Sequence, residues 1–387
     1  MSLYKSQTIR VCHVVNALDV GGMENGVVNL CNNLDRSKFE PMICCLYHTG
    51  PMADRLRPDV RVINMAQPQG KSILSVFRLA RLFKQIKPDI VHTHAWGGGS
   101  LYGITGARLA NVPVIINGEH GSFFLKNHQV ILQRILARIS NLTLSVSESL
   151  KRRIVKNLGI PDEKIKVIPN GVDTDKFTGN YDWSYISEEC TQKYGFSLNG
   201  NSFIIGSVAS LKAEKNQIML LEALREIKHE NDGRKIKIII VGDGPDLEKL
   251  MQFVRDNQLE RDVVFLGNRQ DIPQLLSAFD VLISTSISRH EGMSNVILEA
   301  MSSGLPVIAT KSVGTTEVVR EGETGFLIEE NDVSALVDKI NLLRHNQELA
   351  NRMGAQARKI AKEQYSIAKM VENYEKLYLN ILQGGRK

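Results

Sequence analysis

The feature that most constrains this 387-residue chain is an alternation that runs through it twice. Short apolar, β-branched runs are separated by longer stretches with apolar residues three and four apart. The short runs read as strands buried on both faces and the intervening stretches as helices that cover them, so the alternation predicts parallel α/β layers. In the first half the strand candidates are 9–15 (IRVCHVV), 41–47 (PMICCLY), 89–94 (DIVHTH), 113–118 (PVIING), 142–147 (LTLSVS) and 165–171 (IKVIPNG). Helical spacing occupies 23–34, 73–86 and 129–139. Residues 174–201 break the pattern and read as polar and irregular. The alternation restarts at 202–210, 235–242, 262–267, 280–286, 306–311 and 324–330. The fold class is therefore α/β, with two doubly wound domains: 1–180 and 181–365. A terminal helix within 366–387 is free in sequence to cross back onto the first.

Composition excludes several alternatives. With 43% hydrophobic and 23% charged residues, each half can bury a core unaided. The five cysteines form no CxxC pair and no Cys/His cluster, so neither a zinc site nor a redox motif is indicated. Neither a signal peptide nor a run of roughly 20 apolar residues is found, and a cytoplasmic protein is expected. The net charge of +6 suits an anionic small ligand, an anionic membrane or nucleic acid. With no recognition motif and 6% aromatics, nucleic acid is not expected as a partner.

Doubly wound sheets place ligands beyond the carboxyl ends of their strands. The segment 284–310 (STSISRHEGMSNVILEAMSSGLPVIAT) fits that position: a strand, a loop with Glu291 and Gly292, then a helix from Ser294 or Asn295 to Ser302, stopped by Gly304. A helix N-terminus favours an anion such as phosphate, and the carboxylates of Glu291 and Glu299 can accept hydrogen bonds from sugar or ribose hydroxyls. Two solvated acids flanking a helix would give the same spacing. The loop after 202–210 carries Lys212 and Lys215, which could stabilise a departing phosphate. After the first strand, Gly21 and Gly22 would let backbone approach a ligand, although the pair alone reads as a plain turn. His120, just past a strand beside Glu119, could be a general base or a hydrogen-bond partner. His92 and His94 alternate along a strand, but two ligands without a third make no metal site. GDGP at 242–245 lacks the third glycine of a dinucleotide fingerprint, which weighs against a dehydrogenase. Asp173 and Asp175 form a D-x-D in a turn between domains, read as structural.

The segment EGMSNVILEAMSSGLPVI resembles the E-x7-E motif of glycosyltransferase family 4, the retaining enzymes of GT-B fold. NALDVGGMENGVVNL, VIPNGVDTDKF, VGDGPDLEKL and REGETGFLIEENDVSAL resemble further family segments in the same order, so the resemblance spans essentially the whole chain. It implies a GT-B architecture with an acceptor-side N-terminal domain and a nucleotide-sugar domain after it. It also implies retaining transfer from a nucleotide diphosphate sugar, a UDP-sugar first among them, to a glycan or lipid-linked acceptor. No cofactor and no bound metal are implied. By resemblance, Glu299 holds the ribose, Glu291 contacts the transferred sugar, and backbone at Gly292, Met293 and Ser294 cradles sugar and diphosphate. Lys215 looks like the phosphate-binding lysine, Gly242 belongs to the nucleotide-site loop, and Gly21 and Gly22 become neighbours of the diphosphate. His120 matches a histidine close to the donor sugar, and Trp96 with Gly97–Gly99 lies near the acceptor side.

One departure stands out: the family pattern has an arginine where this chain has Ser210, and serine offers no bidentate fork. A GT-B accessory protein without turnover, or a sugar-nucleotide enzyme other than a transferase, therefore remains open from sequence. Three stretches (75–87, 126–139 and 150–156) combine apolar residues with Lys and Arg. Each fits an ordinary helix packed on a sheet, or a peripheral contact with the inner face of a membrane.

Overall fold

In the computed structural model, residues 8–68, 73–94, 98–120, 127–198, 200–227, 234–287, 293–312 and 314–384 are described. The first half alternates as its hydrophobic pattern requires: β1 (Ile9–Val15), α1 (Gly22–Asn33), β2 (Phe39–Cys45), β3 (Arg61–Asn64), α2 (Leu74–Ile86), β4 (Ile90–Thr93), α3 (Gly98–Leu109), β5 (Val114–Glu119), α4 (Asn127–Ile139), β6 (Leu142–Ser145), α5 (Glu148–Leu158) and β7 (Ile165–Val167). Its parallel sheet runs β3-β2-β1-β4-β5-β6-β7. Val91, Ile115 and Val14 face a layer made by Leu79, Phe83, Tyr102, Ile104 and Leu136 of α2, α3 and α4. Val11, Ile90, Val114 and Ile116 face the other way, against Leu30 of α1 and Leu34 just after it. Both faces being covered, the central strands read as continuous apolar runs rather than alternating ones.

The second half continues with α6 (Ser184–Tyr194), β8 (Ser202–Val208), α7 (Gln217–Ile227), β9 (Lys235–Val241), α8 (Leu247–Asp256), β10 (Val263–Phe265), α9 (Ile272–Ala278), β11 (Val281–Ser284), α10 (Asn295–Ser302), β12 (Val307–Thr310), α11 (Thr315–Val318), β13 (Gly325–Ile328), α12 (Val333–His345) and α13 (Gln347–Gln364). Its sheet, also parallel, runs β10-β9-β8-β11-β12-β13. The last helix, α14 (Ile367–Gly384), belongs to the first unit, where Met370, Val371, Tyr374 and Tyr378 pack beside α1. Two compact units result, 1–171 with 367–387 and 172–366.

The unit boundary falls before residues 172–180 for a local reason. Ser302 Oγ donates to the Phe177 carbonyl at 2.8 Å, and Arg358 reaches the carbonyls of both Thr178 and Ser302. A Cβ on Gly179 would sit 2.0 Å from the Ser303 carbonyl oxygen. This segment is thus bonded to α10 and α13 rather than to the first sheet. Two elements correct the sequence reading. The stretch 174–201 is not irregular throughout, because α6 forms there; it buries only Ile186 and Cys190, too little to give a periodic signal, and stops at Gly195 in the left-handed conformation (φ 62°). Strand β3 is a four-residue edge strand paired to β2, with Arg61 and Asn64 exposed at its ends. All five cysteines are buried and unpaired, and burial pushes the Cys12 and Cys45 thiols up to about 12.

Candidate active site

Of the residues expected to bind a donor, Ser210, Lys215 and Gly242 follow the carboxyl ends of strands in the second unit. Its strand order reverses between β8 and β11, the switch point at which doubly wound sheets leave a crevice. The chain leaves β8 through Ala209 and exposed Ser210, makes a tight 3₁₀ turn at Ala213–Lys215, and enters α7. That turn is fastened to the end of β11: Thr285 Oγ1 donates to the Lys215 carbonyl at 2.9 Å, and the Ile287 amide donates to the Glu214 carbonyl at 2.8 Å. The structure thus brings the backbone of Lys215 to the strand that leads into Ser294 and α10.

The loop after β9 supports the same turn. The Ala209 amide donates to the Val241 carbonyl and the Leu211 amide to the Asp243 carbonyl, each at 3.0 Å. Gly242 sits at φ 132°, and a Cβ there would lie 1.9 Å from the Ala209 carbonyl oxygen. Only glycine satisfies both the backbone angle and the approach, so its role here is to let two loops pack. Ser210 also acts through its backbone, its carbonyl accepting from Gln217 Nε2 at 3.1 Å.

Helix α10 starts at Asn295 after Ser294, which makes no side-chain cap, and ends where Gly304 takes φ 80°. Met293 is buried, while Ser294 and Glu299 are half-buried. Ile297, Leu298, Ala300 and Met301 pack inward, which leaves Glu299 on the helix face away from them. Glu291 and Gly292 lie outside the described residues, as do Trp96 and Gly97; Gly98 and Gly99 open α3. The D-x-D is a local turn, Asp173 Oδ1 accepting from the amides of Asp175 and Lys176.

In the first unit, Gly21 and Gly22 open α1 after β1. Gly21 is extended (φ −167°), so its conformation is one that any residue adopts. Glu24, in the first turn of α1, folds its carboxylate over Gly21, where an added Cβ would lie 2.3 Å from Glu24 Oε2. Burial raises its pKa. This helix start carries its own acid, which competes with any phosphate brought to it.

His120 ends in a cluster that sequence spacing did not reveal. His13 on β1 pairs in register with His92 on β4, and His94 follows two residues on. His13 Nδ1 lies 2.8 Å from His94 Nε2, and His94 Nδ1 lies 3.0 Å from His120 Nε2. His92 Nδ1 lies 2.9 Å from the Tyr378 hydroxyl of α14. Gly118 lets the rings close up, since a Cβ there would meet His92 Nε2 at 3.0 Å and His120 Nε2 at 3.3 Å. Burial pushes His13 down to about 3 and His120 to about 4; burial and then the neighbouring rings hold His92 and His94 well below the usual range. All four are neutral at pH 7. Ring nitrogens of His13, His92 and His94 lie within 4.8 Å of one another, the third ligand that the sequence lacked. Yet both nitrogens of His94 are already hydrogen-bonded, so a three-histidine metal site would have to break one of those bonds. The missed residue was His13; its only signal was a polar side chain inside the run IRVCHVV.

Comparison with known proteins identifies the family. Residues 20–176 match the family model described as Glycosyltransferase Family 4, and residues 191–360 the one described as Glycosyl transferases group 1. The chain is 30% identical to an Escherichia coli UDP-Gal:alpha-D-GlcNAc-diphosphoundecaprenol alpha-1,3-galactosyltransferase, with 97% of each chain covered. It is 26% identical to the capsular polysaccharide biosynthesis glycosyltransferase CapM of Staphylococcus aureus, over 80% of this chain and 81% of that one. Among solved structures, a glycosyltransferase of Rickettsia africae superposes with TM-score 0.83 at 24% identity, covering 97% of this chain and 99% of that one. HepE of Anabaena, solved in complex with UDP, superposes with TM-score 0.82 at 23% identity, covering 97% of this chain and all of the other.

Proposed function

The chain belongs to glycosyltransferase family 4 and is a glycosyltransferase of GT-B fold; on that premise we propose that it moves a sugar from a UDP-sugar to a lipid-linked glycan acceptor, with retention and without a bound metal. The observation that carries this reading is the Lys215 turn fastened to β11 at the switch point, with Glu299 on the next helix. Lys215 would stabilise the departing diphosphate, and the start of α10 would face the same charge. Glu299 would accept the ribose hydroxyls and Glu291 those of the sugar. In a front-face reaction the leaving phosphate oxygen would take the acceptor's proton. UDP-galactose is the first donor to try, since the Escherichia coli relative that uses it aligns along 97% of this chain.

The test is thermal unfolding in UDP-galactose, UDP-glucose and GDP-mannose, with and without EDTA. Ligand that binds only the native state raises the melting temperature with concentration. A rise with a UDP-sugar, unchanged by EDTA and lost in Glu299→Ala but largely kept in Glu291→Ala, is expected. No rise with any donor at millimolar concentration would sink the reading and leave the accessory role suggested by Ser210. Equal loss in both variants would sink the division of labour between the two acids.

A peripheral membrane contact accompanies a lipid-linked acceptor. Helix α2 buries Leu79, Ala80, Phe83 and Ile86 yet leaves Leu74 (66%) and Phe77 (58%) exposed beside Arg78, Arg81 and Lys84. In the same layer α4 exposes Ile131 and Ile135, one turn from a depression lined by Arg134, Arg138 and Lys164. Apolar side chains ringed by cations suit an anionic lipid surface. Among the described residues no helix is long and apolar enough to cross a membrane. Co-sedimentation with phosphatidylglycerol vesicles should weaken with salt and fall about tenfold in Phe77→Asp, the effect of removing one buried aromatic anchor. Equal binding to phosphatidylcholine vesicles, or none to either, would refute this contact.

A further inference from the structure

The histidine cluster has a direction, and the direction can be read from its ends. Three neutral rings are joined head to tail, His13 Nδ1 to His94 Nε2 and His94 Nδ1 to His120 Nε2. A neutral imidazole has one N–H and one lone pair. His94 must therefore accept on one side and donate on the other, and the three tautomers are fixed together. Two arrangements exist. In one, His13 donates from Nδ1, His94 donates from Nδ1 and His120 accepts at Nε2. In the other, every bond is reversed.

The far end decides between them. His13 Nε2 is buried and has no hydrogen-bond partner among the described residues. Reversing the chain would put a proton on that nitrogen, giving a buried N–H with nothing to donate to. The first arrangement leaves only a bare lone pair there, and buried acceptors go unsatisfied more readily than buried donors. The same choice applies to His92, whose Nε2 is also buried without a partner among the described residues. Its proton belongs on Nδ1, donated to the Tyr378 hydroxyl. Protonating His94 to satisfy both neighbours as donor would bury a charge among three rings with no carboxylate bonded to any of them among the contacts above, and burial already disfavours the charged form.

We infer that His13 and His94 are positioning residues that hold His120 as the Nδ1–H tautomer, so that His120 offers a hydrogen-bond donor, and not a base, to the bound sugar. The step to a sugar rests on the donor reading above; the tautomer itself does not. Sequence left both roles open for His120. With His120 excluded as the base, the acceptor's proton has to be taken by another group, which agrees with the leaving phosphate oxygen doing so. No covalent step involves the cluster.

The experiment is long-range ¹H–¹⁵N correlation of the histidine rings in the ¹⁵N-labelled full chain at pH 7, with signals assigned by single substitutions. Nδ1–H and Nε2–H tautomers give distinct nitrogen shift patterns. His13, His94 and His120 should all be Nδ1–H. His13→Gln keeps an N–H donor for His94 and should keep the His120 pattern. His13→Phe removes that donor, and His120 should move toward Nε2–H. UDP release from UDP-galactose should fall about tenfold in kcat/KM in His13→Phe and recover in His13→Gln, the effect of one misdirected hydrogen bond. An Nε2–H pattern for wild-type His120 would overturn the inference. So would a stoichiometric zinc ion carried by the purified protein and lost in His13→Phe, because a metal would take over the lone pairs. If UDP-galactose is not turned over at all, the donor reading fails while the ring spectra still decide the tautomer.

Discussion

Lys215→Ala is expected to lower kcat/KM for sugar transfer by about 10²–10³-fold, the usual effect of removing one preorganised group that stabilises transition-state charge. The physical reason lies in how the turn is held. Its two ties to β11 run through the Lys215 carbonyl and the Glu214 carbonyl, so truncating the side chain leaves both bonds intact. Stability should change by no more than about 0.5 kcal/mol, as at ordinary surface sites. Lys215→Arg should recover part of the rate, because the charge returns with a different shape. Initial-rate measurements of UDP release alongside urea melts separate the two effects. An unchanged kcat/KM in a folded Lys215→Ala protein would remove Lys215 from the mechanism; a parallel collapse of stability would make its role structural.

Acidification should destabilise the first unit well before ordinary carboxylates protonate. A histidine with a folded pKa below its unfolded value near 6.5 takes up a proton on unfolding, so its contribution to stability is complete above pH 6.5 and is lost as pH falls toward the folded pKa. His13 is fully buried, and burial pushes its pKa down to about 3. Between pH 6.5 and 4.5 that single ring removes about 2 kcal/mol, the slope approaching roughly 1.4 kcal/mol per pH unit below pH 6. His92 and His94 shift in the same direction and add to the slope. Such a loss is large against a total stability of about 5–15 kcal/mol. The ion-paired carboxylates act lower: Asp271, held at about 2 chiefly by Arg269, gives up its contribution only below the usual aspartate range. Urea midpoints at pH 7.5, 6.5, 5.5 and 4.5 should fall steeply below 6.5, with a shallower slope in His13→Phe. A flat profile down to pH 4.5 would mean that water reaches these rings and that they titrate normally when folded.

Much of the second unit was legible in the sequence. The run from Ser284 to Thr310 announced a strand, a loop, a helix and a glycine stop, and α10 occupies Asn295–Ser302 with Gly304 at positive φ. Gly242 was expected in a nucleotide-site loop by resemblance alone; the geometric demand on it, an approach to the Ala209 carbonyl, belongs to a neighbouring loop. Glu24 was in plain view within the quoted segment, but nothing in its spacing says that it folds over Gly21. Helix α6 stayed hidden because two buried residues make no period.

What the sequence by itself determined is the local conformation along the strongly periodic segments, because strand and helix periodicities are written in consecutive residues. That was enough for two parallel sheets; the family came from the resemblance of the motifs, not from periodicity. Tertiary structure alone decided which strands became neighbours. His13 and His94 are 81 positions apart, and they meet because β1 and β4 are hydrogen-bonded at the reversal of strand order in the first sheet. Tyr378 reaches His92 across 286 positions because α14 returns to cover the face beside α1. Contacts of that kind depend on crossovers and on the packing of whole layers, which no window of residues contains.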